Sequence, residues 1–291
     1  MDVFTKFQIL PSYAAGFTFV WEISGSLADP APWTFVVEQA QVSEGPWKEI
    51  SPVLTNTVVF VDDVKRIVSK DHVLFFRIKM TTPTATYYSF VKAPYGDLNR
   101  REYLIVKDIM RREVLQQDDM AGILGRVWIR ATSGPRCTNC IDPITGNVTV
   151  SNCRFCLGVG RIPPYLGPYD VYLTFTPSRR NLELSQDGLG LQQPYTWEIR
   201  LVGFPYLKDK DIALDIASDK RYIIDGVNNE LEIRRIPVIQ VLHANELPVS
   251  DPVYKLKELD DGDGDGDGYG GGCVLPDGSI VPSLVLPGGI I

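Results

Sequence analysis

The sequence predicts a mainly β protein: an N-terminal β-sandwich, a linking α-helix, a four-cysteine knuckle ahead of a small β-barrel, and a polar C-terminal tail. Three observations carry this reading. Apolar and polar residues alternate through much of residues 1–95 and again through 168–252, as strands with one buried face require. A single stretch, residues 98–117, repeats its apolar residues near every 3.6 positions instead. Finally, Cys137, Cys140, Cys153 and Cys156 form two C-x-x-C pairs separated by twelve residues.

The sandwich, residues 1–95, is read from alternating runs at 17–23, 34–38, 57–61 and 73–79, with turn clusters at 28–30 and 44–46 between them. Trp21 on an early strand, the run 35–38, the segment 45–50 containing Trp47, the run 76–79 and Tyr88-Ser89 together resemble a fibronectin type III domain. The resemblance implies a fold rather than a role, and it places Trp21 and Trp47 in core or edge packing.

The linking helix, residues 96–125, follows the break at 93–97. Asp97 is the expected N-cap, Leu104, Ile105, Ile109 and Leu115 the expected buried stripe, and Gly122 the stop.

In the knuckle segment, residues 126–167, the two C-x-x-C pairs can bring four thiolates to one point, a closed tetrahedral sulfur site of the kind that holds structural zinc. Asp142-Pro143 and 145–147 supply turn chemistry within the spacer, and 148–150 a short strand. A pair of disulfides is the competing reading, although neighbouring C-x-x-C cysteines pair poorly; a redox role is weaker, since redox C-x-x-C motifs usually stand alone before a helix. The second pair, with Gly158 and Gly160 behind it, resembles the C-x-x-C-x-G-x-G repeat of J-protein cochaperones. The first pair lacks both glycines and the chain has no His-Pro-Asp tripeptide, so only knuckle geometry is implied. Arg136, Arg154 and Arg161 flank the cysteines as candidate contacts to DNA or to an acidic partner.

The barrel, residues 168–252, is read from six short runs at 171–176, 196–201, 211–215, 221–225, 231–234 and 238–242. Its long connection, 181–193, holds Asp187, Gly188 and Gly190 and is a candidate channel or inter-subunit loop. The tail, 253–291, joins an Asp/Gly tether to an apolar tip. The start of an EF-hand calcium loop at Asp261, Asp263 and Asp265 lacks its closing carboxylate, so a solvated linker is expected. Cys273 is read as a free thiol.

Composition narrows the function. A net charge of −7 argues against a general nucleic-acid binder. The chain has no apolar run long enough for a membrane span and no basic-then-apolar start, so assembly in a reducing cytoplasm is expected. With two histidines, both in strand-like runs, and no phosphate loop or nucleophile elbow, an enzyme is not expected.

The order of parts, together with 207–214 leading into 220–227 and a last strand at 236–240, resembles the head-to-tail junction proteins of tailed bacteriophages, the stopper and connector barrels. The resemblance implies a virion structural protein, assembled in the host cytoplasm. It would form a ring of identical copies that joins portal or adaptor to tail proteins and retains or passes DNA. Two alternatives stay open: a zinc-ribbon nucleic-acid-associated factor, and a decoration or host-attachment virion protein.

Overall fold

A computed structural model describes residues 3–12, 16–24, 32–55, 57–62, 74–96, 98–142, 144–151, 153, 155–177 and 196–256, together with the backbone of 273–274 and 280–281. Its N-terminal part is the two-sheet sandwich expected. β1 (Phe4–Ser12), β2 (Gly16–Ile23) and β6 (Val59–Asp62) form one sheet in the order β1-β2-β6. The other follows β4-β3-β7-β8, from β3 (Thr34–Ala40), β4 (Lys48–Glu49), β7 (Phe75–Thr81) and β8 (Thr86–Tyr88), with β5 (Leu54–Thr55) also on β3.

The period of two decides what fills the space between the sheets. Phe17, Phe19 and Trp21 of β2 meet Phe35 and Val37 of β3 and Phe76, Ile78 and Met80 of β7. Ring centroids lie 5.0 Å apart for Phe19–Phe76 and 5.5 Å for Trp21–Phe35. Trp47 is edge packing: the Arg77 guanidinium lies 4.2 Å from its ring and 4.2 Å from that of Tyr88, while Arg77 Nε donates to Glu38 at 2.6 Å. The opposite face of the first sheet is covered too. Leu10 and Val20 pack with Val127, Ile129 and Leu166 of the barrel, and the Tyr169 hydroxyl donates to Thr18 Oγ1 at 2.8 Å. That second burial explains why Thr18 and Val20, on the face of β2 turned away from the sandwich core, are buried as well.

α1 (Arg100–Gln116) starts at Asn99 and not at the expected Asp97. Asn99 Oδ1 accepts from the Glu102 N–H at 2.9 Å and Glu102 returns a carboxylate oxygen to the Asn99 N–H at 3.0 Å, a complete capping box. A π-helical turn (Gln117–Ala121) follows, and Gly122 ends it as expected; a Cβ there would meet the Gln117 carbonyl at 2.6 Å. The buried stripe differs from the expected one. Tyr103, Val106, Met110 and Glu113 face inward, whereas Leu104, Ile105 and Leu115 stand exposed and only Ile109 packs on the core. Glu113 can be buried because Arg200 Nε and Nη2 donate to its two oxygens at 2.8 and 3.2 Å.

The barrel is closed, in the order β10-β11-β14-β13-β12-β9, from β9 (Ile123–Arg130), β10 (Tyr165–Pro177), β11 (Thr196–Val202), β12 (Ile212–Asp215), β13 (Lys220–Ile233) and β14 (Ile236–Glu246). Closure removes the sheet's open edges. Val127, Leu173, Ile199, Leu201, Ala213, Ile224 and Leu242 fill its inside. Six strands were expected, but two of the expected runs, 221–225 and 231–234, are one strand, and the sixth place is taken by β9. The cysteine segment is therefore an insertion between the first two barrel strands, not a piece ahead of the barrel. Beyond the barrel, β13 and β14 continue as a hairpin whose Ile236, Val238 and Ile239 join the sandwich core, alongside Tyr103 and Val106 of α1. Sandwich, helix and barrel thus share apolar contacts throughout. The described tail backbone forms a short hairpin from β15 (Cys273–Val274) and β16 (Ile280–Val281).

Candidate metal centre

The insertion leaves β9 and returns to β10 along a narrow stem. Ala131 N–H donates to Pro164 O at 2.9 Å, Ile162 N–H to Pro135 O at 3.0 Å and Cys137 N–H to Gly160 O at 3.0 Å. Two tight turns then present the cysteine pairs. In the second pair Leu157 N–H closes on Cys153 O at 2.8 Å and Val159 N–H on Cys156 O at 2.7 Å. This needs Gly158 and Gly160 at φ +77° and +78°, where a Cβ would lie 2.4 Å from Ser151 O and 2.7 Å from Val148 Cγ2. The first pair has no such glycines and is held differently. Thr149 N–H and its hydroxyl both donate to Cys140 O, at 2.8 and 3.0 Å. Asp142 accepts from Ile144 N–H at 2.9 Å and from the Thr145 hydroxyl at 2.7 Å, bonds that hold its carboxyl below the usual range. Asp142 and Thr145 do for the first knuckle what glycine does for the second.

These turns bring all four sulfurs together, buried, within 4.8 Å of one another, and all four thiols are free. Sγ of Cys137 and Cys153 are 3.8 Å apart, and those of Cys140 and Cys156 3.0 Å. A disulfide requires about 2.0 Å, so the pairs are not bonded. Four thiolates at about 2.3 Å from a central zinc-sized ion stand roughly 3.8 Å from one another; the Cys137–Cys153 separation equals that value, and none of the four sulfurs lies more than 4.8 Å from another. Among the described residues this is the one group of three or more potential ligands close enough to share an ion.

The electrostatics also favour a cation. Burial pushes the Cys137 thiol up, and burial together with Cys156 pushes Cys140 well above the thiol range. For Cys153, burial pushes upward too, but the N–H groups of Cys156 and Phe155 prevail and bring it down to about 7. One thiolate is therefore readily formed, and a divalent cation would supply the charge that lets the others follow. The soft, four-sulfur donor set leaves no open position for a substrate once filled.

The flanking arginines divide. Arg136 is exposed, pairing backbone to backbone with Arg161. Arg161 itself is turned inward: Nη1 donates to Gly134 O at 2.7 Å and lies 3.9 Å from a Glu22 oxygen, tying the insertion to the sandwich. Arg154 lies outside the described residues, as do Asp187, Gly188 and Gly190, His72 and the Asp261 motif. His243 sits on β14 opposite Glu198 and Gly226.

Where sandwich, insertion and barrel meet is a cavity of about 380 Å³, lined in part by Gln8, Thr132, Val159, Arg161 and Asp211. Asp211 is 1% exposed and accepts from the N–H groups of Arg130 and Lys208, each at 2.7 Å. Burial outweighs those bonds and raises its carboxyl to about 7. Sequence reading passed over Asp211, whose signal is an acid immediately ahead of the apolar run that becomes β12. No helix is long and apolar enough to cross a membrane among the described residues. No protein-family model matches the chain, and no curated protein matches it in sequence.

Proposed function

We propose that this protein is an architectural subunit of a tailed-phage virion, one copy in a ring at the head-to-tail junction that joins portal or adaptor to tail proteins and retains or passes DNA. The cysteines hold structural zinc in this reading. The observation that carries it is the closed barrel with a four-cysteine insertion between its first two strands, packed without a break against a sandwich and a helix. A ring subunit must keep its lateral surfaces in fixed relation under load. Shared cores and a closed sheet give that rigidity, and the sulfur cluster stiffens the part that has too little apolar residue to stiffen itself.

Zinc suits the site because it takes four thiolates tetrahedrally and asks for no redox chemistry. Its part is to hold the two knuckles in register, with Cys137 and Cys140 fixing one turn and Cys153 and Cys156 the other. The exposed Arg136 at the cluster and the arginines of α1 would face DNA or an acidic ring surface.

Negative-stain imaging of the purified full chain, together with light scattering, tests the reading. Closed rings of uniform size are expected. A monomer at every concentration, retaining DNA with a steep loss of affinity as salt rises, would favour the nucleic-acid-factor reading instead.

A further inference from the structure

The outward face of α1 is unusual for a surface helix. Leu104, Ile105 and Leu115 are 46, 43 and 47% exposed, on the side of the helix turned away from the buried stripe of Tyr103, Val106, Met110 and Glu113. Arg100, Arg101 and Arg111 surround them, and Arg112 is paired with Asp108 at 2.8 Å. Arg100, Arg101, Leu104, Ile105 and Asp108 line a shallow open depression. A helix face that is both apolar and cationic suits an occupant that is both apolar and acidic.

The chain carries such a segment. Residues 258–267 hold six carboxylates (Glu258, Asp260, Asp261, Asp263, Asp265 and Asp267) and no basic residue, and 274–291 are apolar apart from Asp277 and a few small polar residues. The place where that segment leaves the barrel matters. A 3-10 turn (Pro252–Lys255) is anchored by the Arg221 guanidinium on the carbonyls of Val253 and Leu256. Val253 packs with Trp128 of β9 and with Ile212 and Leu214 of β12. α1 lies against β11 and β14. In the closed strand order those two pairs are opposite each other, so the segment departs from the side of the barrel away from its own helix.

We propose that the outward face of α1 seats the C-terminal segment, residues 257–291, of a second copy of this chain, with the acidic tether along the arginines and the apolar tip on Leu104, Ile105 and Leu115. The inference rests on the ring reading and names one of its contacts. Because donor and acceptor surfaces differ, the contact is head-to-tail and propagates around a ring.

Cross-linking of the full-length Leu104→Cys variant with a short flexible bis-maleimide tests it, using Cys273 as the natural second thiol. The expected result is a ladder of multimers that vanishes when Cys273→Ser is added. Light scattering that shows a multimer without any Cys273-dependent product overturns the inference and leaves the ring intact; a monomer by scattering removes both. A Cys273-dependent product of single-chain mass shows that the segment folds onto its own helix, and a dimer that survives Cys273→Ser shows helix against helix; either contradicts the proposal. As a second measurement, the surface pair Leu104→Glu with Ile105→Glu should weaken self-association by about tenfold, the effect of losing one good contact residue, without changing the melting curve. Unchanged self-association with lost DNA retention would make this face a nucleic-acid surface and overturn the assignment.

Discussion

The barrel and the cysteine insertion are joined by a few residues yet are stabilised in opposite ways. The barrel closes on itself around side chains such as Leu173, Ile199, Leu201, Ile224 and Leu242, none of them measurably exposed. The insertion buries its four cysteines with Ile141 and Ile162 beside them, and leaves Ile144, Val148, Val150 and Phe155 facing outward. One region is held by apolar area removed from water; the other has, in place of a core, a cluster of four sulfurs that the proposed zinc would join. The difference shows that a small insertion too poor in apolar residues for a core of its own carries a donor set, four sulfurs, with which the proposed zinc would replace many weak contacts by a few strong bonds.

The largest effect should come from removing those bonds. Chelation, or Cys140→Ser with Cys156→Ser, should release the metal and open residues 135–161 to limited proteolysis while the barrel's far-ultraviolet circular dichroism persists; structural zinc sites contribute about 10 kcal/mol or more of coupled binding energy. Collapse of the whole protein would show that the barrel leans on the cluster and would erase the contrast. Next, Ile199→Ala in the barrel should lower global stability by about 2–5 kcal/mol in a denaturant melt and leave metal content at the wild-type value.

A smaller effect is expected at the second turn. Gly158→Ala forces a Cβ onto Ser151 O at a left-handed φ, so metal affinity should fall by roughly tenfold or more, as about 1–2 kcal/mol of strain implies. Gly146→Ala, at φ +70° but facing only the flexible end of Arg136, should cost less. Competition with a chromogenic chelator reads both.

Much of this contrast was legible in the sequence because the signals are local. C-x-x-C spacing places two sulfurs on one turn whatever surrounds them, and the alternation in 17–23 and 34–38 fixes which side chains meet. What escaped was non-local or chemically disguised. β9 pairs with β10 and β12 across the whole insertion, and nothing near residue 127 announces those partners. In β13, Asp225-Gly226 and Asn228-Asn229 look like turn residues, yet register shifts at Ile224/Gly226 and Asn229/Leu231 absorb them into one strand. The helix misled because its buried face uses a tyrosine, a methionine and an ion-paired glutamate, while its leucines face out. The asparagine-to-glutamate spacing at 99 and 102 did carry the true helix start.

A last effect, on the pH dependence of stability, concerns the junction between the two regions. Asp211 has its carboxyl raised to about 7 in the fold, against about 3.9 in an unfolded chain. The folded state therefore holds the extra proton between those values. Its stabilising contribution is full below the lower value and is lost as pH rises through the upper one. Asp211→Asn should flatten the stability profile between about pH 4 and 7, where a shift of about three pKa units corresponds to at most about 4 kcal/mol, seen in melts across that range. An unaltered slope would mean the two N–H bonds keep the carboxylate charged.

Native mass spectrometry of the intact full chain asks the central question in one spectrum, since it weighs the assembly and its metal together. A closed multimer of a single size with one zinc per chain is the predicted result. A lone subunit free of metal, with the insertion still folded, would contradict the account.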